Sequence, residues 1–293
     1  MVPYHSGRME TLIDLHTHSH HSDGTLAPAA LVELAAARGV SVLALTDHDT
    51  TAGCEEARAA CASRGIDFVP GIELTADWLG REIHVVGLGI DCEHAAIRAY
   101  TAGVLEQRRA RVKAIGERLA RERAFDGFDP GTPLLDGAAV PTRAHVARAI
   151  VARGLARDVQ DAFDRHLARG RAGYVAAHWP ALAEAVAAIR AAGGLAVLAH
   201  AHRYRLSGGQ LESLCATFRA AGGEGLEVGL AGLSPNDYER LARLARRHQL
   251  AGSIGSDFHE PGVPWRPLGR WLKLPDQVMP LLERLRPRQG SLE

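Results

Sequence analysis

Short apolar runs alternate with amphipathic stretches along most of the chain. Thr11, Leu12, Ile13 and Leu15 form an apolar run that predicts a short buried strand. Residues 28–38 begin at a proline, set Leu31, Leu34 and Ala35 on one face and stop at Gly39, which predicts a helix. Residues 41–46 are a second apolar strand, and 51–64 a helix closed by Gly65. Residues 66–75 read as a strand with Pro70-Gly71 inside it, and 82–90 as another. Strand and helix alternating through short links predict βα units and a parallel sheet.

From about residue 92 to 174 this rhythm stops. Helices are expected at 106–123, 143–152 and 158–168, which makes 92–174 a helical insertion between two barrel-forming parts, 10–91 and 175–286. The run Glu-Gln-Arg-Arg-Ala-Arg-Val-Lys from Glu106 reads as a solvated face, balanced by Glu106, Glu117 and Glu122. The alternation then resumes. Helices are expected at 180–192, 210–221 and 235–248, and strands at 195–199, 225–228 and 250–255, with 271–274 and 278–285 closing the chain.

Potential metal ligands fall where the apolar strands end. His16 and His18 follow the first strand, and in an extended segment residues i and i+2 point the same way. Asp23 lies past a polar turn ending in Gly24 and can fold back toward them. His48 follows the second strand, Glu73 lies on the third, His84 within the fourth, His200 after the fifth, and Asp257 and His259 after the last. A single one of these is most simply a core histidine held by one hydrogen bond, or part of a His-rich loop. Their convergence on one end of a parallel α/β fold, where sites gather, points to a metal centre. Histidine and carboxylate without thiolate suit Zn²⁺, Mn²⁺ or Fe²⁺. There are more candidates than one ion needs, so two to three ions sharing a carboxylate are expected. Such ions clamp a phosphate and activate a water. No serine or cysteine nucleophile paired with a base is evident, and no protein general base is assigned.

Composition bounds the rest. A chain of 293 residues is within range of one α/β barrel, and 46% apolar content supplies a large core. The formal net charge is zero, so no global field favours nucleic acid or an anionic membrane. Cys54, Cys61, Cys92 and Cys215 lack Cys-x-x-Cys spacing and read as reduced core residues of a cytoplasmic protein. No apolar run is long enough for a membrane span. Residues 1–10 lack a signal-peptide core and read as a short tail, or as sequence ahead of a start at Met9.

His16-Thr17-His18, Thr46-Asp47-His48-Asp49, Gly71-Ile72-Glu73 and Ser256-Asp257-Phe258-His259 resemble, in order, the motifs of the PHP (polymerase and histidinol phosphatase) family of metal-dependent phosphoesterases. The resemblance covers nearly the whole chain. It implies a distorted (β/α)₇ barrel, the PHP fold, with the insertion over the barrel mouth, and a trinuclear centre. His16, His18, Glu73 and Asp257 would hold one metal, Asp23, His48 and His259 a second, and Glu73, His84 and His200 a third. The wording Asp-Gly-Thr-Leu and Thr-Asp-His-Asp-Thr-Thr-Ala-Gly, with the insertion, resembles the subgroup of nucleoside 3′,5′-bisphosphate phosphatases and 5′-to-3′ exoribonucleases. That implies removal of the 3′-phosphate from pAp-like nucleotides and trimming of 5′-phosphorylated RNA. Alanine at 201 stands where the family commonly has His-Pro, so the loop after His200 departs from the pattern.

Thr142-Arg143-Ala144-His145 is similar to that subgroup's Gly-Arg-Pro-His, which makes Arg143 and His145 candidates for substrate phosphate; a surface arginine and a capping histidine are the alternative. A guanidinium fork suits phosphate, and a helix N-terminus adds amide donors. Arg203 and Tyr204, next to His200, are further candidates. The partners expected are a small nucleotide and short RNA 5′ ends, with no membrane and no obligate protein partner. Competing readings are a histidinol-phosphate phosphatase, a proofreading exonuclease domain working with a polymerase, and a non-catalytic regulatory protein on a metal-stabilised barrel.

Overall fold

The structure is a computed structural model that describes residues 12–263 and 266–285. Thr11 and the expected N-terminal tail lie outside the described residues, as does residue 286 at the end of the second barrel part. In chain order the elements are β1 (Leu12–Asp14), α1 (Pro28–Ala37), β2 (Val40–Leu45), α2 (Cys54–Arg64), β3 (Asp67–Trp78) and β4 (Arg81–Leu88). The insertion holds α3 (Ala95–Ala120), α4 (Leu134–Gly137), α5 (Arg143–Ala152) and α6 (Val159–Ala162). The barrel resumes with α7 (Leu182–Ala191), β5 (Leu195–Leu198), α8 (Gly208–Ala220), β6 (Gly225–Leu230), α9 (Pro235–Arg247), β7 (Ala251–Gly255) and the short α10 (Leu282–Leu285).

The seven strands follow one another in sequence order across one sheet. Beyond the strand ends, Leu15 N donates to Ile254 O at 3.2 Å, and Asp257 N and His18 N donate to His16 O and Phe258 O, each at 2.9 Å. These bonds join the first strand to the last and close the sheet into a barrel. Leu15, Val42, Ala44, Val69, Val86, Leu88, Val197 and Ala251 fill the interior, with Leu281 and Leu285 packed against them. Each of these valines and leucines contributes roughly 1.5–3 kcal/mol on burial. Two outer layers pack α1 and α2 against β2, and α7, α8 and α9 against β3 to β6.

The sheet is not wholly parallel, as the alternating pattern implied. β4 runs antiparallel to both β3 and β5. Only Leu79 and Gly80 join β3 to β4, with φ of 53° and 74°, and two residues with positive φ make a tight hairpin turn, never a crossover. The consequence bears on the site. His84 pairs with Thr75 near the end of β3, so a residue in the first half of β4 reaches the same end of the barrel as the carboxyl ends of the parallel strands.

The insertion has its own core of Val112, Ile115, Leu119, Phe125, Val146, Ile150, Ala162 and Leu167. α3 starts eleven residues before the expected 106, at Ala95, capped by the side chain of His94 accepting from Ala96 N at 3.2 Å. Its first half packs on the barrel through Ile97 and its second half on the insertion core, so no single apolar stripe runs its length. Arg108 and Arg111 are buried, at 7% and 9% exposure, against the expectation of a solvated face. The helix expected at 158–168 is one turn of α6 followed by a π-helical turn, Phe163–Leu167. All four cysteines are free, and Cys54, Cys61 and Cys215 are buried.

Candidate metal centre

Past β1 the chain stays extended, and His16 and His18 turn the same way into the barrel mouth. Gly255, ending β7, makes this possible, because a Cβ there would lie 2.6 Å from His16 Cβ. The two Nε2 atoms are 3.0 Å apart. Both face Glu73 Oε2, at 3.1 and 3.2 Å, and Asp257 Oδ1, at 3.4 Å each. The loop carrying Asp23 is folded back by Asp47, which accepts from Ser19 N at 2.7 Å and from the Ser19 and Ser22 hydroxyls at 2.6 Å. Asp23 Oδ1 then lies 3.8 Å from His48 Nε2, 3.3 Å from His259 Nε2 and 4.0 Å from His18 Nδ1. The second oxygen of Glu73, Oε1, is 3.0 Å from His84 Nδ1 and 2.9 Å from His200 Nε2, while His48 Nδ1 is 3.3 Å from Oε2.

Three overlapping groups result, in each of which one donor atom per residue lies within 4.8 Å of the others: His16, His18, Glu73 and Asp257; His18, Asp23, His48 and His259; His48, Glu73 and His84. The first matches the set implied by the family motifs. The second adds His18 to Asp23, His48 and His259. In the third, His48 stands beside Glu73 and His84, with His200 approaching the same Glu73 oxygen. Both oxygens of Glu73 are thus engaged by different histidines, the arrangement of a bridging carboxylate.

This cluster fits divalent cations. His18 Nδ1, Asp23 Oδ1, His48 Nδ1 and His200 Nδ1 are buried without a hydrogen-bond partner, a costly state for polar atoms unless something else is bound. The donors are imidazole nitrogens and carboxylate oxygens, the set used by Zn²⁺, Mn²⁺ and Fe²⁺. Two of the residues also carry backbone strain, His200 at φ 29° and Asp257 at φ 53°. Non-glycine residues adopt this region rarely, and such outliers cluster at functional sites.

The charges are mutually dependent. Burial alone would push the carboxyl of Glu73 upward, but His48, His16 and His84 hold it well below the usual range. Burial also opposes ionisation of Asp257, and Arg266, Arg203 and His16 overcome it. Burial pulls His48 and His200 below the usual imidazole value, toward the neutral form that ligates metal. Against burial, Asp257 and Glu73 raise His18 to about 9, and Glu73 raises His84 to about 10. Protons therefore stand in for positive charge that a cation would bring, and metal binding would release them.

Further groups fix the ligands. Glu227 on β6 accepts from His16 Nδ1 and from the backbone N of His200, both at 2.6 Å. A carboxylate behind a ligating histidine sets its tautomer and orientation. The signal for it in the sequence is a lone carboxylate inside the apolar strand Gly-Leu-Glu-Val-Gly-Leu. Asp14 accepts from Ser256 N at 2.9 Å and Gly269 N at 2.8 Å, pinning the segment that leads to Asp257.

The PHP domain signature matches residues 14–175. The chain belongs to the PHP family. It is similar to the 5′-3′ exoribonuclease Rnm of Salmonella typhimurium, with 44% identity over 269 residues and 91% of each chain covered. It is 41% identical over 276 residues to a 3′,5′-nucleoside bisphosphate phosphatase of Chromobacterium violaceum, covering 94% of this chain and 97% of that one. A solved structure of an amidohydrolase from Chromobacterium violaceum, with bound sulfate and no metal, superposes with a TM-score of 0.87 at 40% identity and covers 95% and 97% of the two chains. No helix among the described residues of this PHP protein is long and apolar enough to cross a membrane.

A cleft is lined by Asp23, His48 and His84 of the cluster and by Arg143, Arg111 and Phe163 of the insertion. Arg143, the first residue of α5, donates from Nη2 to Glu82 Oε1 at 3.0 Å and lies 5.7 Å over the Phe163 ring. His145 caps the same helix. Burial keeps its imidazole neutral, and Nδ1 accepts from Thr142 N at 3.1 Å. Arg203 and Arg266 both donate to Asp257 Oδ2 and are not among the residues lining this cleft. Tyr204 has its hydroxyl between His84 N, at 2.9 Å, and Ala199 O, at 2.8 Å, which ties β4 to the end of β5. The second aspartate of Asp-His-Asp, Asp49, accepts from Thr75 N at 2.8 Å and from Arg108 Nε at 2.7 Å, and so anchors α3 to the barrel.

Proposed function

We propose that the chain removes the 3′-phosphate from nucleoside 3′,5′-bisphosphates of the pAp type and trims RNA from a 5′-monophosphate end. The observation that carries this is one cleft lined both by residues of the candidate metal cluster, Asp23, His48 and His84, and by Arg143 from the insertion. The two substrates share one recognition element: a 5′-phosphate on the same nucleotide as a 3′-phosphoryl group. They differ in whether that phosphoryl group ends the molecule or continues into a chain. The cleft encloses about 110 Å³, below the roughly 300 Å³ at which typical ligand pockets begin. It shelters part of a nucleotide and leaves the rest in the open mouth, where a longer chain can extend. The names of the Salmonella and Chromobacterium relatives support the same pair of activities.

Three divalent ions, Mn²⁺, Zn²⁺ or Fe²⁺, would be held by His16, His18, Glu73 and Asp257, by Asp23, His48 and His259, and by Glu73, His84 and His200. When bound, such ions supply Lewis-acid polarisation of a phosphoryl group and lower the pKa of water. The side chains do the rest. Arg143 holds the uncleaved 5′-phosphate and sets the 3′-phosphoryl group against the cluster. Glu227 keeps Nε2 of His16 directed inward by accepting from Nδ1. Arg203, beside Asp257, adds positive charge. Histidinol phosphate has only one phosphate and leaves Arg143 without a partner.

A phosphate-release panel in Mn²⁺ tests the reading, with pAp, AMP, histidinol phosphate, an aryl phosphate and a short 5′-phosphorylated RNA. pAp and the RNA are expected to lead. A strong preference for histidinol phosphate would overturn the proposal.

A further inference from the structure

Glu82 stands at the start of β4, two residues before His84 and on the same face of the strand. It is where the insertion meets the barrel. Its Oε1 accepts from Arg143 Nη2 at 3.0 Å. Its Oε2 accepts from Arg111 Nη1 at 2.7 Å and from the indole Nε1 of Trp179 at 3.0 Å. Three separate segments, α3, the start of α5 and the stretch before α7, thus converge on one carboxylate.

The two arginines are held unequally. Arg111 has other partners: its Nε donates to Val175 O at 3.0 Å, and its guanidinium lies 5.5 Å from the Trp179 ring. Its side chain is 9% exposed. Among the described residues Arg143 has Glu82 and the Phe163 ring, and its side chain is 31% exposed, opening on the cleft. The charge balance points the same way. Arg108 is matched by Asp49, while Arg111 and Arg143 share the single charge of Glu82, which leaves one positive charge in excess among these residues. A phosphate arriving in the cleft could not draw all three donors away from Glu82, so Glu82 stays in place while the free N–H groups of Arg143 meet the ligand.

We infer that Glu82 is a positioning residue: it holds Arg143 against the like charge of Arg111 and so builds the subsite for the uncleaved phosphate. This rests on the reading of Arg143 given above. Without the carboxylate, two guanidiniums would face each other with nothing between them, and Arg143 would swing away from the cleft.

The opposite expectation follows if Glu82 is only a countercharge. Removing a negative charge beside an anion site then strengthens anion binding. Glu82→Gln separates the two, because it keeps the shape and an acceptor for Trp179 while removing the charge. The probe is 5′-AMP, which carries only the uncleaved phosphate, measured by calorimetry alongside kcat and KM for pAp and an aryl phosphate. With Glu82→Gln, AMP is expected to bind about tenfold more weakly, KM for pAp to rise more than kcat falls, and selectivity for pAp over the aryl phosphate to drop. In an Arg143→Ala background the same change should add little further loss of AMP affinity, since the residue being positioned is gone. Glu82→Asp retains charge but shortens the reach, and should bind AMP with intermediate affinity. Unchanged or tighter AMP binding in Glu82→Gln, or full additivity with Arg143→Ala, would overturn the inference. Wild-type protein that binds AMP no better than adenosine would instead bring down the reading of Arg143, and Glu82's role with it.

Discussion

Replacing Arg143 by alanine separates substrate recognition from chemistry. The side chain comes from the insertion and lines the cleft, with Glu82 as its one hydrogen-bonded partner among the described residues. Its loss leaves Glu82 still paired with Arg111 and Trp179, so no buried charge is stranded. The pair is partly solvent-exposed, at 31% and 23%, and its removal should cost stability about 1 kcal/mol or less. The loss to the substrate is larger. A hydrogen bond to a charged group contributes roughly 1.5–3 kcal/mol, and about 1.4 kcal/mol is a factor of ten. Arg143→Ala should therefore lower kcat/KM for pAp by about 10- to 100-fold. An aryl phosphate has nothing for Arg143 to hold, so its kcat/KM should fall far less. Steady-state kinetics on both substrates, with metal content measured in parallel, make the comparison. Equal losses on the two, or loss of metal, would show that Arg143 acts through the centre or the fold and not as a clamp for the second phosphate.

Other consequences follow from the same geometry. Protein purified without chelators should carry more than one equivalent of transition metal by elemental analysis, and Asp257→Ala should lose metal and activity together; a stoichiometry of one or zero after Mn²⁺ loading would contradict the three-ion assignment. Glu227→Ala should weaken metal binding roughly 10- to 100-fold in chelator competition, because the partner that orients His16 is removed, and an unchanged affinity would show that His16 is fixed by other contacts. Arg108→Ala strands the buried carboxylate of Asp49, so denaturant unfolding should show a loss of about 3–5 kcal/mol.

The candidate metal-binding residues stand out in the sequence because so many histidines and carboxylates directly after apolar strands converge on one end of the fold. The barrel is legible because apolar runs of strand length separated by amphipathic helices leave few architectures. What escapes is what depends on partners distant in the chain. The direction of β4 cannot be read from its own residues, since an apolar strand has the same pattern either way; the two-residue link at Leu79-Gly80 decides it. The arginines of α3 read as solvated because Glu106, Glu117 and Glu122 on the same stretch balance them, while their actual partners are distant: Asp49 lies 59 residues from Arg108 and Glu82 lies 29 from Arg111. Glu227 leaves a trace as a lone charge in an apolar strand, yet its purpose appears only when β6 is set beside His16. His145 shows the limit of a motif, for its ring closes the cap of α5 whatever it also does for substrate.

The central claim is that the 3′-phosphoryl group meets the metal centre while Arg143 holds the 5′-phosphate. The most direct measurement is the identity of the nucleoside product released from pAp, resolved by chromatography against authentic standards. 5′-AMP as the initial nucleotide product is the expected result, and 3′-AMP would contradict the assignment of the two phosphates to the metal centre and to Arg143.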